Sequence, residues 1–71
     1  MGKKHIFKFV NIYGVKIVTY FMYDEDGNLS DTDYIMLGEF DDMDIYEKRL
    51  REDFAKYLGV EIIIERLDKL K

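Results

Sequence analysis

The sequence predicts an α+β domain in which three strands, a helix and a fourth strand follow in that order. Three observations predict it. Two N-terminal runs are rich in aromatic and β-branched residues, and the turn signal D-E-D-G-N over Asp24–Asn28 follows them. Further on, Tyr46, Leu50, Phe54, Tyr57 and Leu58 recur at helical spacing.

The first strand is expected over Lys4–Val10, where His5, Phe7 and Phe9 alternate with Lys4 and Lys8. Tyr13-Gly14 makes a short turn into a second strand, Val15–Tyr23. Gly27 and Asn28, which both tolerate positive φ, close the next turn, and a third strand is expected over Asp33–Phe40. These three runs read as an antiparallel meander. The helix is expected to open on Asp44, with Glu47 three residues on completing a capping box. Its outer face offers Glu47–Arg51, Arg49–Asp53 and Glu52–Lys56 pairs four residues apart. Gly59 stands where a left-handed C-terminal cap would fall, and Val60–Leu67 reads as the last strand.

A right-handed crossover makes the fourth strand parallel to the third, and therefore to the first. Placing it beside the first gives the order 3-2-1-4 and lets the helix cover most of one sheet face. Strands two and four nevertheless carry apolar residues on both faces. Pairing with a second copy through the uncovered face is therefore an expectation of the pattern.

All 71 residues are expected to form one domain, and its core must be built from packing. There is no Cys and only one His, so neither a disulfide nor a structural zinc site is available. Eight Ile, five Phe and six Tyr supply the apolar volume. No run approaches the roughly 20 apolar residues that span a bilayer. The N-terminal apolar run is broken by Lys8, Asn11 and Lys16, which makes it a strand and not a signal peptide. Met1-Gly2 does not begin a myristoylation motif, because Ile6 stands where Ser or Thr is required. A cytoplasmic protein of a bacterial host is expected. The single Ala, with abundant Ile, Lys, Asp and Tyr, is the usage of an AT-rich bacterial or phage genome.

Charge is the feature that bears on function. From Asp24 to Glu47 the chain carries ten acidic residues and no Lys or Arg, so the net charge of −4 conceals a strongly negative middle. Basic residues, among them Lys3, Lys4, Lys8, Lys16, Lys48, Arg49, Arg51, Lys56, Arg66, Lys69 and Lys71, flank it on both sides.

The loop from Met22 to Asp33 has acids at alternate positions. In calcium-loop register, however, Met22 or Leu29 falls where a ligand or a glycine is required, and no metal is expected. Tyr23–Leu29, Y-D-E-D-G-N-L, resembles one unit of the YD-type repeats of large secreted proteins. It covers seven residues in a single copy of a repeat that works as an array, and is read as shared hairpin chemistry. His5 has no nucleophile tied to it by spacing, and is read as a partly buried structural side chain. Asp41, Asp42 and Asp44 lie at the helix start, where negative charge favours the helix dipole. No cofactor is implied, and a non-enzymatic role is expected.

Phe7, Phe9, Tyr13 and Tyr20 could stack bases, and Lys3, Lys4, Lys8 and Lys16 form a modest basic patch beside them. The acidic middle and a pI of about 4.8 argue against direct nucleic-acid binding, which ranks third. The preferred expectation is a module that presents acids to a basic protein partner. The residues are Asp24, Glu25, Asp26, Asp31, Asp33, Asp41, Asp42 and Asp44. As a strand, Asp31 to Asp41 would span on the order of 30 Å, close to one turn of duplex DNA at about 34 Å. Phage or mobile-element inhibitors of nucleic-acid-directed host enzymes use such displays. The alternative is a homodimer joined through the uncovered sheet face.

Overall fold

The computed structural model describes residues 2–69 of the chain. Met1 and Lys71, which entered the readings of the N-terminus and the basic flank, lie outside them. Strands β1 (Lys3–Ile12), β2 (Val15–Tyr23) and β3 (Leu29–Leu37) precede helix α1 (Met43–Phe54) and strand β4 (Val60–Arg66). A 3-10 turn over Leu67–Lys69 follows. The four strands form one sheet in the order β3-β2-β1-β4, the arrangement expected from the sequence. β1 is antiparallel to β2 and parallel to β4, while β2 and β3 are antiparallel.

The hairpins are built by their turn residues. Tyr13 and Gly14 have φ of 51° and 83°, the two consecutive left-handed positions whose twist matches that of the flanking strands. The Asn11 carboxamide accepts the Gly14 N–H at 3.0 Å and fixes that turn. In the next one the Asp24 carboxylate accepts the amides of Asp26 (3.0 Å) and Asn28 (2.9 Å), and Gly27 takes φ 85°. Because this turn closes by Asn28, β3 begins at Leu29, four residues before the expected Asp33, and it ends at Leu37. Gly38–Asp41 then forms a turn of its own. The Asp41 carboxylate accepts the Gly38 N–H at 2.6 Å, leaving Phe40 outside the strand and 96% exposed.

The helix also differs from expectation at both ends. Its N-cap is Asp42, whose carboxylate accepts the amides of Asp44 (2.8 Å) and Ile45 (3.3 Å). Asp44 is thus the second helical residue, and Glu47 lies too far along to complete a capping box. α1 closes on Ala55 in ordinary right-handed geometry, so Gly59, with φ 74°, serves the loop before β4. Tyr57 and Leu58, expected on the apolar stripe, lie beyond the helix and are exposed. Of the three side-chain pairs expected along the helix, Glu47–Arg51 forms at 3.0 Å. The other two do not close to ion-pair distance among the described residues.

The core is Phe7, Phe9, Val18 and Met43, ringed by Tyr20, Leu37, Tyr46, Leu50, Phe54, Ile62 and Ile64. The alternation of β1 drives this: His5, Phe7 and Phe9 face the helix, while Ile6, Lys8 and Val10 face away. Tyr46 and Phe54 meet the rings of Phe9 and Phe7 edge-on at 5.9 and 5.7 Å. Fully burying each large apolar side chain contributes about 1.5–3 kcal/mol, so this compact cluster carries much of the stability.

Candidate functional site: an acidic sheet edge

Strand order turns the acidic stretch of sequence into a place on the molecule. β3 is an outer strand, bonded to β2 on one side only. It carries no Lys or Arg, and every residue from Leu29 to Met36 is exposed. Glu25 and Asp26 lie exposed in the turn before it, and Asp41 and Asp42 in the turn after it. Acids therefore stand in the first half of this free edge and in the turns at both of its ends, in a molecule whose longest dimension is 37 Å.

Asp31 and Asp33 are paired with Met22 and Tyr20, on the helix side of the sheet. α1 packs over β1 and β4, so nothing from the helix covers these two carboxylates. Each accepts the amide of the following residue: Thr32 to Asp31 at 2.9 Å and Tyr34 to Asp33 at 2.7 Å. Amides of alternate residues on an outer strand point away from the sheet and offer themselves to any passing strand. Here two of them are already occupied by carboxylates, which also repel a second acidic edge.

The eight acids singled out in the sequence thus separate by environment. Glu25, Asp26, Asp31 and Asp33 are exposed along the edge. Asp24, Asp41 and Asp42 hold backbone amides of the two turns and the helix start, and they still contribute negative charge there. Lys16 partly offsets the far end, its ammonium donating to the carbonyls of Asp41 (2.6 Å) and Glu39 (3.2 Å). Asp44 is turned away from the edge to Arg66, at 2.7 Å.

Arg66 is the residue that sequence reasoning missed. Its guanidinium bonds Asp68 (2.8 Å), Glu47 (2.8 Å) and Asp44 (2.7 Å), tying the end of β4 to the first turns of α1. Its guanidinium carbon lies over the Phe9 ring, 5.1 Å from the centroid. The bond from Arg66 holds the Glu47 carboxyl below its usual range, and the carboxylates around Arg66 raise its own already high pKa. The signal was present, an Arg on the helix-facing register of a strand, but its partners lie up to 22 residues away in the chain.

His5 is buried between Tyr20 and Phe54, with ring centroids at 5.7 and 4.9 Å. Its Nδ1 lies 2.6 Å from the Tyr20 hydroxyl, which can donate to the neutral ring. Burial, with help from Lys3, pushes the imidazole pKa below 6.5. Burial and the charge of Asp31 push the Tyr20 hydroxyl up. Both groups are held neutral and serve the packing between the sheet and the end of the helix.

No family model, curated protein or solved structure matches this chain. Among the described residues, no helix is long and apolar enough to cross a membrane.

Proposed function

We propose that this chain is a non-enzymatic binding module whose acidic edge engages a basic protein partner. In its most concrete form it is a phage or mobile-element inhibitor, acting in the bacterial cytoplasm on a nucleic-acid-directed host enzyme and occupying its phosphate channel. The observation that carries the reading is the outer position of β3. It lays Asp31 and Asp33 on a strand of nine residues, about 30 Å long, with Glu25 and Asp26 in the turn at one end and Asp41 and Asp42 in the turn at the other. That is the length over which a duplex presents its phosphates through about one turn. A channel lined by Lys and Arg meets such an edge with complementary potential, which raises the encounter rate and discriminates among partners.

The test is capture of partners from bacterial lysate on the tagged chain at about 0.1 M and about 1 M salt, where the Debye length falls from about 10 Å to about 3 Å. A basic nucleic-acid enzyme retained at low salt and released at high salt is expected. The second arm replaces Glu25 and Asp26 with Lys. Both side chains are exposed and hold no backbone amide, so the fold is kept and retention is lost. Retention indifferent to both salt and charge reversal would refute the reading.

A further inference from the structure

The sheet has a second outer strand. β4 is bonded to β1 on one side only and lies at the opposite edge from β3. The two edges differ in chemistry. On β3 the Asp31 and Asp33 carboxylates occupy the amides of Thr32 and Tyr34. β4 reads V-E-I-I-I-E-R over Val60–Arg66, with no Pro or Lys. Among the described residues no side chain holds one of its main-chain amides. Arg66 is turned to Glu47 and Asp44 of α1, so the charges this edge presents are Glu61 and Glu65.

β1 shows which side chains β4 accepts beside it. In the parallel register Lys4 lies opposite Glu61, Ile6 opposite Ile63 and Lys8 opposite Glu65. All six lie on the sheet face turned away from α1. Glu61 and Glu65 are exposed, and among the described residues neither closes an ion pair. The Lys8 ammonium lies instead over the Phe21 ring, 5.5 Å from its centroid. Two unpaired carboxylates therefore stand about 13 Å apart on the outermost strand, with Ile63 between them.

We propose that β4 takes up a fifth strand: an extended segment of a partner protein with Lys or Arg at two positions four residues apart and an aliphatic residue midway. Residues directly opposite in a sheet stand about 5 Å apart on one face. Such a segment repeats, on the outer side of β4, the neighbours that β1 supplies on the inner side. Its basic pair meets Glu61 and Glu65, and its middle residue meets Ile63. Main-chain bonds give the affinity, and the alternate side chains give the selectivity. The pattern is the same read from either end, so charge fixes the register and leaves the direction open. A second copy of β4 is a poorer occupant. Antiparallel pairing about Ile63, the register of greatest overlap, sets Glu61 against the partner's Glu65 twice. Centring on Ile62 or Ile64 shortens the overlap and sets a glutamate against Ile63. This edge is separate from β3 and needs no partner there.

The probe is a blocked peptide, T-K-T-I-T-K-T, titrated into the full chain at about 0.1 M salt with NMR detection of the backbone amides. Saturable shifts centred on β4 are expected at low millimolar peptide, the weak range proper to one short strand. The peptide with both Lys replaced by Glu should bind about tenfold less well, because two opposite-charge pairs become two like-charge pairs. Glu61→Gln/Glu65→Gln, at exposed positions, should keep the circular dichroism spectrum and bind the two peptides alike. Methylating alternate amide nitrogens of the peptide separates a paired strand from an adsorbed cation: one set should block binding and the other should leave it. Glu25/Asp26→Lys lies off this strand and leaves the titration unchanged, which separates this site from the acidic edge of β3. No saturable shift, shifts centred on β3, equal binding of the Lys and Glu peptides, or binding of both methylated peptides would overturn the proposal.

Discussion

Arg66 and His5 are two polar side chains placed against the same apolar core, and they behave oppositely. Arg66 keeps its charge because three carboxylates surround it. His5 gives up its charge because burial disfavours the imidazolium and Tyr20 satisfies the neutral ring. Replacing Arg66 with Ala removes four charge-assisted hydrogen bonds to three carboxylates and the cation–π contact with Phe9. A loss of about 1–3 kcal/mol in chemical denaturation is expected, less than for a fully buried pair because water still reaches the cluster. Asp42→Ala leaves the Asp44 and Ile45 amides without their cap and costs about 1 kcal/mol by the same measurement.

The pH dependence follows from the sign of each shift. The folded-state pKa of His5 lies below the ordinary 6.5, so the unfolded chain binds the extra proton first. The contribution of His5 to stability is therefore complete above that value and is lost as pH falls through the lower folded pKa. Glu47, also depressed, adds a second loss at more acid pH, below the carboxylate range. Denaturation midpoints measured from about pH 8 to about pH 2 should fall in two stages. His5→Gln, which keeps a hydrogen-bonding group for Tyr20, should flatten the first stage and leave the second.

Element existence was legible in the sequence, while element boundaries were set by carboxylates whose roles are local and specific. The Tyr13-Gly14 turn, the β2 run and the strand order followed from twist, β-propensity and the need to cover one face. The end of β3 and the start of α1 were misplaced by a few residues for a common reason. The stretch from Glu39 to Asp44 offers several acids able to cap a helix, and spacing alone does not choose among them. Asp41 binding Gly38 settles where the strand stops, and Asp42 binding Asp44 and Ile45 settles where the helix starts. Met43, buried at the helix start, was missed because one Met among acids shows no periodicity. The acids of the candidate site were legible as a run, but their division into exposed and committed groups required the turns. Asp24 belongs to the hairpin, so reversing it would damage the fold; Glu25 and Asp26 test charge alone.

At the scale of the whole molecule, one helix over a four-stranded sheet leaves a small core and much surface to be assigned. Phe9, with no exposed surface at the centre of that core, is the position most costly to empty. Phe9→Ala should lose about 3–5 kcal/mol, enough to leave so small a domain largely unfolded. The surface is sorted by strand: acids along β3, an uncharged stripe behind β2 and β3, and lysines on β1. The acidic edge is the central functional claim, and its charge should compete directly with phosphate.

The most direct measurement is displacement of a fluorescently labelled duplex from the captured enzyme, titrated with the wild-type chain and with Glu25/Asp26→Lys at about 0.1 M salt. The wild type should displace the duplex and the variant should do so at least about tenfold less well, since each rim charge influences a steered, salt-sensitive encounter. Simultaneous binding of the duplex and the chain to the enzyme, or equal displacement by the two chains, would contradict the account.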